Sequence, residues 1–192
     1  RANIDSETIY SFYASKQEML ADFYNLVPAL YKEHIQTIPD YNQFLLADRI
    51  SSFIFTTFDV LSAQQSFVEQ TFGKITDSTD CKPWRSGIAR ILMDIFENDP
   101  RVSDINRALI PDIAYDAGSV LFSHIIQFWI DDTSDGTGKT LALVEKSTSL
   151  IQEIMYTDVL GKGIDLFRFM YAQVGPDTRI VKSIRKFSCS DN

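Results

Sequence analysis

Two cysteines and two histidines are all that this 192-residue chain offers to thiol or soft-metal chemistry. Cys81 and Cys189 stand far apart and form no metal spacing, so they read as free thiols in a reducing cytoplasm, not as a disulfide framework. His34 and His124 have no second ligand nearby, and no motif places a base beside either cysteine; no metal, cofactor or nucleophilic catalyst is expected. Carboxylates are scattered over polar faces without a recognisable pair, so the chain does not read as an enzyme. Long apolar runs are also missing. The longest, Val120 to Ile130, is broken by Ser123, His124 and Gln127 and is too short and too polar to span a bilayer. No signal-peptide pattern is visible, and a cytoplasmic protein is expected. Basic charge is in deficit, with 18 Lys and Arg against 26 Asp and Glu, a net charge of −8. That balance excludes a surface-wide nucleic-acid glove while leaving room for a local reading head on an acidic body. Gly136-Thr137-Gly138-Lys139-Thr140 has the outline of a phosphate loop, but Thr133 stands where the pattern needs glycine and no strand precedes it.

What the chain does have is apolar residues at helical spacing, and no strand signal of any length. At 45% hydrophobic and 12% aromatic it can bury a sizeable core. A helix from Lys16 is expected to kink or end at Pro28, which lacks an N–H. Ile50, Phe53, Ile54, Phe58 and Leu61 form a wide stripe within a helix from Asn42 to about Leu61. Ser62 is placed to cap a further helix through Phe72, ending near Gly73. Ile88, Ile91, Leu92, Ile95 and Phe96 mark another helix, and Ser103 caps the element after it. From Asp112 to Trp129 apolar residues run almost all the way round, which implies a core on one side and a partner subunit on the other. After a loop from Asp131 to Gly138, a helix from Lys139 to Tyr156 carries Leu141, Val144, Thr148, Ile151 and Met155 at the spacing of packed helices. Leu160 to Ala172 reads as a last helix. Beyond Gly175-Pro176, a tail with Arg179, Lys182, Arg185 and Lys186 has a basic face that either touches acid on the body or is simply solvated, the second being the favoured reading.

The most specific signal lies at the start. Asp5 or Ser6 caps a short helix whose Ile9, Phe12 and Tyr13 share one side, and Ser15-Lys16-Gln17-Glu18 opens a second helix as a capping box. Two helices around so tight a corner form a supersecondary unit. This stretch resembles the end of the DNA-binding domain in the TetR/AcrR family of bacterial regulators. Ala2, Asn3, Ile4 and Asp5 take the places of its alanine, turn glycine, valine and serine cap. Thr8, Ile9 and Tyr10 follow its threonine, leucine and tyrosine, Phe12 and Tyr13 take its two aromatic places, and Ser15, Lys16, Glu18, Met19 and Leu20 close the match. Glu7 departs from the pattern, standing where the family often has glycine.

The resemblance implies an all-α, TetR-like fold: a partial helix-turn-helix head and linker helix over residues 1–27, a helical ligand-binding and dimerisation domain over 28–175, and a basic tail over 176–192. It implies two further helices before Ala2, so this chain by itself is expected to bind DNA poorly. It also implies that Ser6, Glu7, Thr8 and Ser11 face base edges while Tyr10 and Lys16 hold phosphates. The expected function is a ligand-responsive transcriptional regulator, a repressor acting as a homodimer on a near-palindromic double-stranded operator. The FWIDDTSDGTGKTLALVEKS phrase resembles the hairpin joining the family's dimerising helices, which points to Val120, Ile125, Phe128, Leu141, Val144, Thr148, Ile151 and Met155 as interface. An unidentified apolar or amphipathic effector would sit in an aromatic-lined cavity, with Phe58, Trp84, Tyr115, Phe122 and His124 as candidates. Plain core packing is an equal reading for each, and a lone His124 reads first as a hydrogen-bonded core residue. The alternative function is a TetR-like helical carrier of lipid or a small molecule that has lost DNA binding.

Overall fold

A computed structural model describes residues 12–76 and 82–174 of the chain. Among them are eight α-helices and no strand: α1 (Lys16–Gln36), α2 (Leu46–Ser62), α3 (Gln65–Thr76), α4 (Lys82–Glu97), α5 (Asp104–Leu109), α6 (Asp112–Asp131), α7 (Gly138–Tyr156) and α8 (Val159–Val174). The all-α reading is correct.

The start of α1 is capped as its sequence dictates. Ser15 Oγ accepts the Glu18 N–H at 3.1 Å. The return bond of the expected box falls one residue early, on the Ala14 N–H, which donates to Glu18 Oε2 at 2.6 Å. Tyr24, Val27 and Tyr31 make the buried face. Contrary to expectation, Pro28 neither ends nor divides the helix, which crosses the 27/28 boundary and runs to Gln36. Its ring lies against α4 at Gly87, where a Cβ would come within 2.9 Å of Pro28 Cγ. Tertiary packing on α4 thus carries the turn that the missing N–H weakens.

α2 is the central element. Ile50, Phe53, Ile54, Thr57, Phe58 and Leu61 are buried on it, and it packs against α1, α3, α4, α6 and α7. It begins at Leu46, not Asn42, because residues 41–43 form a single 3-10 turn after Asp40 in the left-handed region. Ser62 ends α2 instead of capping α3, and α3 continues through Gly73 to Thr76. α4 is flanked by α1 on one side and α6 on the other, which is why Trp84, Ile88, Ile91, Leu92 and Ile95 are all buried.

α6 divides its apolar surface in two. Tyr115, Phe122 and Ile126 face the core, whereas Ile113, Leu121 and Phe128 are exposed. One carboxylate organises the hairpin that follows. Asp132 accepts from Ser134 N and Oγ and from Thr140 N and Oγ1, at 2.6–2.9 Å. These bonds hold the Asp132 carboxyl well below the usual range. The seam expected on α7 points inward. Val144, Thr148 and Met155 are buried in the chain's own core, with Thr148 Oγ1 3.2 Å from Ser51 Oγ of α2. α8 packs on α5, where Gly161 approaches Ile105, and leaves Leu166, Phe167, Phe169 and Tyr171 exposed.

A polar network closes the end of the bundle away from the start of α1. The buried Arg49 donates to the carbonyls of Asn42, Phe44 and Asn98 at 2.6–3.3 Å. Arg107 donates to Glu97, Asp99 and Val102, and the buried Asn106 amide to Ile154, Met155 and Thr157. Asp99, fully buried, accepts Tyr156 Oη at 2.7 Å while Tyr156 accepts the Leu46 N–H at 2.9 Å. Tyr31 and Tyr41 share a hydroxyl contact beside Arg49.

Two expectations follow. Gly87→Ala should destabilise the fold by about 1–3 kcal/mol in urea titrations, because overpacking against the Pro28 ring outweighs the helix propensity gained. The loss should shrink when Pro28→Ala is added; additive losses would mean that the ring is not what the methyl meets. The second concerns alkaline pH. Burial raises the phenols of Tyr24, Tyr31, Tyr41 and Tyr156 above their ordinary value. An unfolded phenol ionises near pH ~10 while the folded one holds its proton. Stability should therefore be undiminished below that pH and fall above it. Tyr31→Phe should flatten the decline, measured as urea midpoints at neutral and strongly alkaline pH.

Candidate functional site

Of the residues expected to read DNA, Ser6, Glu7, Thr8, Tyr10 and Ser11 lie outside the described residues, as do both cysteines and the basic tail. Lys16 is described. It is exposed in the first turn of α1, at the rim of a cleft of about 820 Å³ between α1 and α3 floored by Met19, Leu20, Phe23 and Phe67.

The five residues expected to line a ligand cavity separate into two groups. Phe58, Tyr115 and Phe122 are core. Phe58 stacks on Trp129 at 4.9 Å between ring centres, Phe122 on Phe53 at 4.5 Å, and Tyr115 meets Phe96 edge-on at 6.0 Å. Their rings fill the space between helices instead of enclosing one, as the plain core reading had it. Trp84 and His124 do come together, at a cleft of about 480 Å³ between α3, α4 and α6. His124 corrects the sequence reading in another way. It is exposed at the rim and makes no hydrogen bond among the described residues, so it is not a satisfied core histidine.

Trp84 is the floor of this cleft, being 1% exposed. Its indole N–H donates to Ser123 Oγ at 3.0 Å, and that hydroxyl donates on to the Ser119 carbonyl at 2.9 Å. Three rings pin it: Tyr24 of α1 at 5.9 Å, Phe72 of α3 at 6.0 Å and Phe122 of α6 at 6.4 Å. Arg85, His124 and Gln127 stand around the floor. The Arg85 guanidinium has no hydrogen bond or ion pair among the described residues, so it is available to an acceptor. An apolar floor with a few polar groups around it can receive an amphipathic molecule bearing a hydrogen-bond acceptor. Arg85, Ser123 and Gln127 were missed by sequence reasoning, yet a signal existed. Ser123, His124 and Gln127 are the three polar interruptions of the longest apolar run, and all three line the cleft.

The expected dimer residues also divide. Val144, Thr148 and Met155 are consumed by contacts within the chain and are withdrawn from the surface, because α7 packs its seam onto α2. Ile125 and Ile151 are partly covered by the core, and Val120 lies at the cleft. Phe128 and Leu141 remain exposed, together with Ile113, Leu121 and Leu150. Among the described residues no group of three or more His, Cys, Asp or Glu is placed to hold a metal, and no helix is long and apolar enough to cross a membrane.

Residues 49–170 match the family model described as "Tetracyclin repressor-like, C-terminal domain", and the chain belongs to the TetR family. Comparison with curated proteins and with solved structures returned no match.

Ser123→Val should destabilise the protein by about 1–3 kcal/mol, because the buried Trp84 N–H then has no acceptor. His124→Ala should change stability by less than about 0.5 kcal/mol, as exposed side chains without partners do. Urea unfolding followed by circular dichroism separates the two; equal losses would mean that His124 is structural.

Proposed function

We propose that the protein is a ligand-responsive, DNA-binding transcriptional regulator, a repressor that acts as a homodimer. The observation that carries this reading is the contact between Trp84 and Tyr24. The floor of the candidate effector cleft packs directly on α1, and the Tyr24 hydroxyl is fixed at 2.9 Å to Thr71 of α3. The same helix begins at Lys16, next to the stretch that resembles a DNA reader. A ligand that displaces Trp84 would shift Tyr24, and with it a 21-residue helix. Such a shift is worth only the ligand's difference in affinity between the two positions of α1. In the dimer, two reading heads would meet successive major grooves, and movement of α1 would change their spacing. The exposed residues Ile113, Leu121, Phe128, Leu141 and Leu150 supply apolar surface on α6 and α7 for the second copy.

The carrier reading has one observation in its favour, the apolar cleft beside Lys16, which suits a hydrocarbon chain with an acidic head. One assay decides between them. The full-length protein is titrated by fluorescence anisotropy against DNA from upstream of its own gene at two salt concentrations. The regulator reading expects tight, salt-sensitive binding that a Tyr10→Ala, Lys16→Ala double variant loses. Arg85→Ala should leave DNA affinity within a few-fold but abolish release by an effector. Binding to no DNA across a wide set of sites, together with a co-purified amphipathic molecule in native mass spectrometry, would favour the carrier.

A further inference from the structure

The last described helix carries an apolar surface that neither reading uses. α8 packs on α5 near Gly161, and none of residues 159–173 is buried. Beyond Ile164 every residue through Gln173 is exposed. Leu166 is 60% and Phe169 62% exposed, and Phe167, Met170 and Tyr171 stand out beside them. Each residue advances the helix by about 100°, so these five side chains spread over roughly half of its circumference. The two charges of the same stretch, Asp165 and Arg168, lie 3.9 Å apart and face each other. A helix that is apolar over so wide an arc is a covered helix, and a contiguous exposed patch of this kind marks an interaction surface.

The chain that follows α8 has the complementary pattern. Residues 175–192 lie outside the described residues, and their sequence supplies the independent observation. Ile180, Val181, Ile184 and Phe187 recur at helical steps, while Arg179, Lys182, Arg185 and Lys186 fall on the opposite side of the same pattern. Gly175-Pro176 is a stop signal directly after α8, and Asp177 and Thr178 are both capping residue types before a new helix. The link of residues 175–178 has the length of a tight helical hairpin. Residues 164–171 and 180–187 are equally long, each spanning about 12 Å as helix. The tail carries four Lys or Arg against two Asp in a chain of net charge −8, so folding back also brings opposite charges closer. So short a tether holds the tail at an effective concentration on the order of millimolar, which favours it over a second copy as the cover.

We propose that residues 179–188 form an amphipathic helix that folds back on α8 of the same chain, laying Ile180, Val181, Ile184 and Phe187 over its exposed apolar side chains. The docked tail would close this surface to other copies. Its four cations would stay in solvent, giving an acidic body a basic outer strip.

The test is hydrogen–deuterium exchange read by mass spectrometry on the whole chain, at a low and a high protein concentration, with and without vesicles of anionic lipid. Amides of residues 165–173 should be equally protected in every arm. Ile184→Asp combined with Phe187→Asp should speed their exchange at least ten-fold and leave the exchange of α2 unchanged. Deleting residues 175–192 should have the same effect. Lys182→Gln combined with Arg185→Gln should change the α8 rate by less than about three-fold, because charges that face solvent contribute little. An α8 rate that the paired Asp substitutions do not alter overturns the proposal. Protection that rises with protein concentration also overturns it, since a second copy is then the cover. So does protection that appears only with vesicles, which would make the cover a lipid surface. No DNA or effector enters the experiment, so its outcome is independent of the operator assay.

Discussion

Arg49 sits 3% exposed in the first turn of α2 and gives its guanidinium to three backbone carbonyls from two different loops. The constraint behind this arrangement is general. The last carbonyls of every helix lack partners within the helix, and side chains, water or a ligand must satisfy them. Here side chains do the work. Arg49 and Arg107 bring positive charge to the carboxyl end of α4, where the helix dipole favours it, and Asn106 closes α7 through three carbonyls. Asp99 and Tyr156 link the two groups and pass a bond to the start of α2. Remove one member and the others are left buried and charged, or buried and unpaired, which is the costly state.

The proposed function belongs to the other end. The start of α1 and the Trp84 cleft share the end without the network, and the Tyr24–Trp84 contact joins them. Around it the core is aromatic and densely filled. Phe53, Phe58, Phe122 and Trp129 occupy the space where an internal cavity was expected. Clefts lie at the seams between helices: on either face of α4, between α1 and α3 beside Lys16, and beside Arg49 at the other end of α1. In the regulator we propose, the ligand would enter at such a seam and act through the relative position of two helices.

Much of this was legible in the sequence, for reasons that differ by element. The stripes on α2 and α4 gave both the helices and their buried faces, because 3.6-residue periodicity is set by burial itself. Ser103 and Ser15 marked helix starts correctly, since a cap is a local interaction. Pro28 misled, because whether a proline ends a helix depends on what lies against it, and Gly87 is 59 residues away in sequence. The α7 stripe misled about its partner, because periodicity reports that a face is covered without saying by what; α2 covers it. At the site, Trp84 and His124 were found for their side chains alone. Arg85 and Ser123 were overlooked because their role comes from a neighbour brought in by the fold. The arginines of the capping network carried no motif at all, and only tertiary structure distinguishes Arg49 from a surface cation.

Pro28 has a mechanical meaning beyond its contact with Gly87. The backbone bond that it cannot make is the one to the residue four places earlier, and that residue is Tyr24. The rod is therefore missing a rung at the position where Trp84 presses on it. In the regulator we propose, a ligand that moves Trp84 would push on α1 at the one turn whose bond ladder is interrupted, where packing on α4 stands in for the missing rung.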